Sequence, residues 1–535
     1  MTNLLEVNHL GISFDYDNRS VEAVKDVSFN LEKRKILGIV GESGSGKSVT
    51  AKSIMKLLPD YPNHTISGEI LFDGEDINKL NRKQIQQYRG KDVAMIFQDP
   101  ISSLNPRMAI GKQITEVIFQ HKKISKSAAK KMAMDILEKV GIQNLERNFN
   151  AYPYEFSGGM RQRVMIAMAL VLEPRVLIAD EPTTALDVST QNQLLELMKS
   201  LYEHIETSII FITHDLSVVY QFCDDMIVMK EGAVVERGDV KSVFDNPQNA
   251  YTQRLIDAIP DLHAPKQPRS NISDETILTF DHVSVDYPAS KGQRFRAVND
   301  VSINIRKGES LGIVGESGSG RSSLAKTVVG LNGVSEGAVW YKGLPLHLFR
   351  QSEMTSLRKE IQMIFQDPYA SINPRFKVID TIGRPLKIHG YINNNKDLKT
   401  QVITLLEKVG LDESYLYRYP HELSGGQRQR VSIARAISIE PEVIVCDEAV
   451  SALDVSIQQE IIQLLKRLQE EMNMTYIFIT HDMGVIKEMS DRIVVMQQGR
   501  VVELNDAESV IENPQADYTQ RLLSEVPTVP SRHAK

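Results

Sequence analysis

The sequence is written twice, and this constrains the fold more than any other feature. LGIVGESGSG at Leu37–Gly46 returns residue for residue at Leu311–Gly320. In the same order follow MIFQDP at Met95 and Met363, SGG at Ser157 and Ser424, ALDVS at Ala185 and Ala452, and FITHD at Phe211 and Phe478. The tails repeat as well, as NPQNAYTQRLI from Asn246 and NPQADYTQRLL from Asn513. Because the spacing between partners drifts by only a few residues, the repeating unit is a whole domain and not a short solenoid repeat. A chain of 535 residues holds two such units, each able to bury its own core. Between them Asp261–Glu275, DLHAPKQPRSNISDE, is polar, contains two prolines and lacks apolar periodicity, as expected of an exposed linker. The expected domains are therefore 1–260 and 276–535, joined by 261–275.

Within each half, short apolar runs (KILGIVG, DVAMIFQ, RVLIAD, SIIFITH) alternate with longer amphipathic stretches such as SAAKKMAMDILEKVG from Ser127. That alternation predicts an α/β fold on a mainly parallel sheet. Residues 101–156 and 369–422 lack comparable strand runs and are expected to form helical subdomains inserted between one strand and the next. The composition, 42% hydrophobic and 24% charged, is that of a soluble globular protein. No apolar run approaches the roughly 20 residues of a membrane-spanning helix. The opening MTNLLEVNHL lacks the basic and apolar regions of a secretory signal, so a cytosolic protein is expected. The net charge of −7 disfavours a nucleic-acid-coating role. Cys223 and Cys446 cannot complete a four-thiolate metal site within one chain, and Cys446, in VIVCD, reads as a buried strand residue.

GESGSGKS, Gly41–Ser48, follows the apolar run ILGIV and precedes VTAKSIMKLL, the strand, loop, helix context of a phosphate-binding loop. Its glycines let backbone N–H groups wrap phosphate oxygens, and the following helix directs its positive end at them. Lys47 adds a point charge, and Ser48 offers a hydroxyl to Mg2+. The second copy reads GESGSGRS, Gly315–Ser322, with Arg321 in place of the lysine. A planar, longer guanidinium cannot occupy the same point between phosphate oxygens, which puts hydrolysis there in doubt more than nucleotide binding.

Two acidic pairs, Asp180–Glu181 and Asp447–Glu448, end apolar runs downstream of these loops. There an Asp can hold Mg2+ through water while the Glu orients or deprotonates an attacking water. His214 and His481 each follow IFIT, where a neutral imidazole can donate to a terminal phosphate. Gln98 and Gln366, in IFQDP, offer a side-chain oxygen to Mg2+ or to water, or alternatively cap a turn.

Taken together, these residues resemble the nucleotide-binding domains of ABC ATPases, twice over and across nearly the whole chain. The discriminating element is FSGGMRQR from Phe156 and LSGGQRQR from Leu423. The resemblance implies tandem P-loop NTPase domains, each with a mainly parallel core, an antiparallel β part and the inserted helical subdomain. It implies that Ser157, Gly158 and Gly159, and Ser424, Gly425, Gly426 and Gln427, close on nucleotide held by the opposite domain. An internal pseudo-dimer would thus sandwich two ATP molecules. ATP and Mg2+ are the implied cofactors. The ATP contacts fall on Gly41, Glu42, Ser43, Gly44, Ser45, Gly46, Lys47, Ser48 and Val49, and on Gly315, Glu316, Ser317, Gly318, Ser319, Gly320, Arg321, Ser322 and Ser323. Mg2+ would be held by Ser48, Gln98 and Asp180, and by Ser322, Gln366 and Asp447. Phe14 and Tyr287 look like the aromatics that stack on adenine, and the loops ending at Asp187 and Asp454 like those that cross the domain interface.

Under the family's cross-domain rule, Lys47, Glu181 and His214 face SGGQ of the second copy, whereas Arg321, Glu448 and His481 face SGGM, with Met160, of the first. Both departures fall in one composite site, so the expectation is an asymmetric pair whose first site hydrolyses faster. QDPISSLNPR, QDPYASINPR and the repeated tails resemble the peptide and nickel importer branch. That implies a peripheral subunit on the cytoplasmic side of the cell membrane, docked on two transmembrane permease subunits and served indirectly by an extracytoplasmic substrate-binding protein. A soluble duplicated ABC ATPase acting on ribosomes, or an exporter ATPase, are the alternatives.

Overall fold

A computed structural model describes residues 3–16, 19–58, 64–183, 187–204, 206–262, 264, 269, 271–288, 293–349, 351–392, 394–451, 453–527 and 529. The chain forms two compact units, with the main division between Ile259 and Pro260.

In the first unit a six-stranded sheet runs in the order Ala233–Asp239, Asp225–Lys230, Ile36–Val40, Ser208–Thr213, Val176–Asp180, Val93–Ile96. All its pairs are parallel except the hairpin of the first two strands. Ile36–Val40, Val176–Asp180 and Ser208–Thr213 are buried along their whole length, which is why they read as continuous apolar runs. Alternation still operates inside them. Ile210 and Ile212 pack with the antiparallel sheet, together with Leu5, Val7 and Ile70, while Ile209 and Phe211 face Ile114, Leu137 and Ile166 of the helices. Each such side chain contributes about 1.5–3 kcal/mol of burial. The antiparallel sheet orders Arg19–Glu32, Asn3–Tyr16, His64–Phe72 and Glu75–Asp76. The helices Ile110–His121, Lys126–Lys139 and Gly158–Leu170 lie between strands Val93–Ile96 and Val176–Asp180, forming the inserted subdomain.

The second unit repeats this plan. Its six-stranded sheet orders Ile361–Ile364, Val443–Asp447, Thr475–Ile479, Ser310–Val314, Arg492–Gln497 and Arg500–Asp506, beside an antiparallel sheet built on Thr276–Pro288 and Arg294–Arg306. Cys446 is fully buried in its strand.

The segment read as an exposed linker is exposed at 271 and 273–275, but its first part docks on the second unit. Leu262 is buried and joins the second unit's core. The backbone oxygens of Leu262 and Ala264 accept from the buried Lys487 ammonium, and Arg269 pairs with Asp491 at 2.9 Å. Pro260 packs on Gly484. A single apolar residue in a polar run carries no periodicity, so sequence patterning could not reveal this docking. Among the described residues no helix is long and apolar enough to cross a membrane.

Candidate nucleotide sites

Each phosphate loop connects a buried central strand to a short helix, Lys47–Ile54 or Arg321–Val328. Gly46 and Gly320, at the caps of those helices, have φ of 98° and 100°, a left-handed turn that directs successive N–H groups into the loop. A Cβ on Gly46 would lie 2.6 Å from the Ala23 oxygen, and one on Gly320 would lie 2.3 Å from the Ala297 oxygen. The two loops therefore have matching backbones, tightly seated on the neighbouring strand.

The side chains at the next position diverge. Lys47, buried, folds over its own loop and donates to the Gly41 oxygen at 2.7 Å and the Glu42 oxygen at 2.9 Å. Arg321, equally buried, reaches away: Nη1 donates to the Thr480 oxygen at 2.6 Å, and Nη2 lies 3.5 Å from Glu448 Oε1. Burial pulls the Arg321 guanidinium down from its ordinary range, opposed by the charges of Glu448 and Asp447.

Around each loop the sheet's strand ends bring together the residues that the sequence singled out. Ser48 Oγ donates to Asp180 Oδ1 at 2.9 Å, and Ser322 Oγ to Asp447 Oδ1 at 2.7 Å. Burial pushes both aspartate carboxyls up from the usual range, against the hydroxyl hydrogen bonds that favour ionisation. Gln98 Nε2 donates to Glu181 Oε2 at 2.8 Å, and Gln366 Nε2 to Glu448 Oε2 at 2.6 Å. Each glutamate has a left-handed backbone, with φ of 47° and 48°, and its N–H donates to the adjacent strand at Ile212 or Ile479. His214 Nδ1 stands 3.6 Å from Glu181, and His481 Nδ1 stands 3.5 Å from Glu448. Burial opposes ionisation of Glu448, but the hydrogen bond and charge of His481, with the charge of Arg321, outweigh it and hold the carboxyl below its usual value.

The first copy's hydroxyl, amide oxygen and carboxylate are hard oxygen donors of the kind Mg2+ takes. Among the described residues no group of three or more His, Cys, Asp or Glu forms a metal cluster, so these sites lack an all-protein cage. That is how Mg2+ is commonly held, with water and phosphate completing the shell.

Ser157 caps the helix Gly158–Leu170, accepting from Met160 N at 3.3 Å. Ser424 does the same for Gly425–Ile437, and Gln427 Oε1 accepts in return from Ser424 N at 2.9 Å, a reciprocal capping box. Met160 has no oxygen to offer, so this half of the box is confined to the second copy. Phe14 lies partly on the core with its ring 6.3 Å from that of His64. Tyr287 is more exposed, and its hydroxyl donates to Ser323 Oγ at 3.2 Å and accepts from Asn332 Nδ2 at 2.7 Å. Asp187 and Asp454 precede the helices Val188–His204 and Val455–Met472. Thr184–Leu186 and Ala452, within the loops thought to cross the interface, lie outside the described residues.

One pair of contacts was not anticipated from the sequence. Tyr251 and Tyr518, in the repeated tails, accept hydrogen bonds from the N–H groups of Glu42 and Glu316, the second residues of the two loops, at 3.1 and 3.0 Å. The repeat of AYTQRL as DYTQRL was the available signal, without indicating where those helices dock.

Residues 24–184 and 298–451 match the ABC transporter family model, and residues 235–283 and 502–535 match the C-terminal region of oligopeptide/dipeptide transporters. The chain is 44% identical over 529 residues to the peptidoglycan transport ATP-binding protein YejF of Agrobacterium fabrum, an alignment covering 97% of this chain and 96% of the relative. It is 42% identical over 565 residues to the glutathione import ATP-binding protein GsiA of Escherichia coli K12, covering 99% and 90%. Among solved structures, the dimeric ATP-binding cassette MJ0796 bound to ADP and Pi aligns with 43% of this chain and 99% of its own, at 29% identity and a TM-score of 0.40. The chain belongs to the ABC transporter family, as two ATPase domains fused in one polypeptide of the peptide and nickel importer branch.

Proposed function

We propose that this protein is the ATP-hydrolysing, energy-coupling subunit of a membrane importer for peptides, glutathione or related small solutes. It would act from the cytoplasmic side on two permease subunits that receive cargo from an extracytoplasmic binding protein. The observation that carries this reading is the match of both tails to the oligopeptide/dipeptide transporter C-terminal region, in a chain aligned almost end to end with a glutathione import and a peptidoglycan transport ATP-binding protein.

In the first copy the loop N–H groups and Lys47 would hold the ATP phosphates, Glu181 would orient and deprotonate water, and His214 and Gln98 would steady that carboxylate. When bound, Mg2+ would supply charge neutralisation at the phosphates, held by Ser48, Gln98 and Asp180. Phe14 would stack on adenine. In the second copy, Arg321 stands at the side of Glu448, so the ion pair occupies the carboxylate that would act on water. This supports an asymmetric pair, with the first site faster, in which the signature turns at Ser157 and Ser424 each serve nucleotide bound by the opposite domain.

The test is reconstitution of the full chain with its permeases and binding protein in lipid vesicles. The expected result is ATP hydrolysis stimulated by binding protein loaded with peptide or glutathione, together with uptake into the binding-protein-free lumen. Co-purification with ribosomes and hydrolysis indifferent to permease would overturn it, and efflux in place of uptake would assign an exporter.

A further inference from the structure

The repeated tail also reaches the phosphate loop of each unit. Tyr251 lies 209 residues beyond Glu42 in the chain, and Tyr518 lies 202 beyond Glu316. Both rings are almost wholly buried. The tail helices Ala250–Asp257 and Asp517–Ser524 are aimed by the same device in each copy. The Glu236 carboxylate accepts from Gln248 N at 2.6 Å and Asn249 N at 3.1 Å, and the Glu503 carboxylate accepts from Gln515 N at 2.9 Å and Ala516 N at 3.1 Å. A carboxylate on the sheet's hairpin thus fixes the turn, the turn fixes the helix, and the helix places a phenol on the loop.

The loop is also held from its hairpin side. Gly232 N donates to the Ser45 oxygen at 3.1 Å, and Gly499 N donates to the Ser319 oxygen at 2.9 Å. A Cβ on Gly41 or Gly315 would lie 2.2 Å from the backbone oxygen of Met229 or Met496. The tyrosine hydroxyl is a further anchor, on the residue whose carbonyl receives Lys47 in the first copy, and in the second copy Arg521 of the same tail helix also pairs with Glu316 at 2.9 Å. Moreover, the tyrosine contact is the same in both copies even though the lysine is not.

We infer that Tyr251 and Tyr518 are positioning residues of the two nucleotide sites, holding the phosphate loop's first turn through Glu42 N and Glu316 N so that the following N–H groups stay convergent. They would act through the loop. The inference rests on the nucleotide-site reading above. A hydroxyl removed here leaves a part-buried N–H without its acceptor and a loop that must be ordered by the ligand it binds.

The experiment uses the full chain with its permeases and compares wild type, Tyr251→Phe and Gln253→Ala, the last on the same helix but away from the loop. Phenylalanine keeps the ring's packing. The expected result for Tyr251→Phe is a KM for ATP raised about tenfold, with a much smaller change in kcat and a melting temperature lowered by no more than a few degrees. Gln253→Ala should match wild type. For the second copy, Tyr518→Phe is made in a Lys47→Ala background, and binding of a fluorescent ATP analogue is expected to weaken by a similar factor. An unchanged KM and analogue affinity would overturn the inference, as would a fall in kcat that only tracks a lower melting temperature. Hydrolysis by wild type upholds the ATPase reading whichever way the tyrosine variants behave.

Discussion

The Arg321 guanidinium bridges the Thr480 backbone oxygen and the Glu448 carboxylate, whereas Lys47 at the matching position turns back onto the oxygens of Gly41 and Glu42. A shorter, rotatable ammonium at residue 321 would find the equivalent oxygens of Gly315 and Glu316 and release Glu448. Arg321→Lys is therefore expected to raise steady-state ATP turnover of the reconstituted complex, by a doubling at most if the first site already works independently. Turnover that stays level or falls would show that the arginine does not restrain the second site.

The same geometry predicts unequal consequences for the two glutamates. Glu181 has Gln98 and His214 as neighbours, and Glu448 has Gln366, His481 and also Arg321. Glu181→Gln is expected to lower turnover by about 10²–10⁴-fold, the usual range for a lost general base, and Glu448→Gln by less than about tenfold. Equal losses in a single-turnover assay would remove the asymmetry.

The parts of this site legible in the sequence are those set by local chemistry. Glycines between a buried strand and a helix specify a phosphate loop, and Asp180 and Glu181 could be placed because a fully buried strand reads as an apolar run. Arg321 was legible as a departure, but not in its direction, because its partner Thr480 lies just past the end of another strand. Tyr251 was legible only as part of a repeat, since a hydrogen bond to Glu42 depends on how the tail helix docks. Leu262 was missed for a related reason. The segment around it docks through Lys487, which donates to the Leu262 oxygen, and Gly484, against which Pro260 packs, where the first copy has Tyr220 and Ser217.

Backbone geometry separates two glycines of the first loop. Gly46 has φ of 98° with the Ala23 oxygen 2.6 Å from the position of a Cβ, whereas Gly44 has φ of 82° with nothing within 4 Å. Gly46→Ala is expected to cost about 1–3 kcal/mol of stability, from strain and the clash with a backbone oxygen, and to abolish ATP binding at the first site. Gly44→Ala should cost about 1 kcal/mol, the left-handed penalty alone. Thermal unfolding of the two variants checks the ranking, and a Gly46→Ala protein as stable as Gly44→Ala would contradict it.

On the antiparallel sheet of the second unit, His282 Nδ1 lies 2.7 Å from Asp300 Oδ1, on a bulge where both residues are left-handed. The Asp300 hydrogen bond and charge, with a smaller contribution from Asp281, raise the His282 pKa against a slight opposing effect of burial. A histidine raised in the folded state stabilises fully below the pKa of the unfolded chain, and the contribution is lost as pH rises through the folded value. Asp300→Asn should therefore lower the melting temperature at about pH 5.5 and leave it unchanged at about pH 9, where imidazole is neutral in both states. The effect should be small and should shrink in salt, because both side chains are largely in solvent. The His282 ring resonances should titrate at lower pH in Asp300→Asn than in wild type. A midpoint unmoved by the substitution would mean that the pair seen on the bulge does not hold its proton in solution.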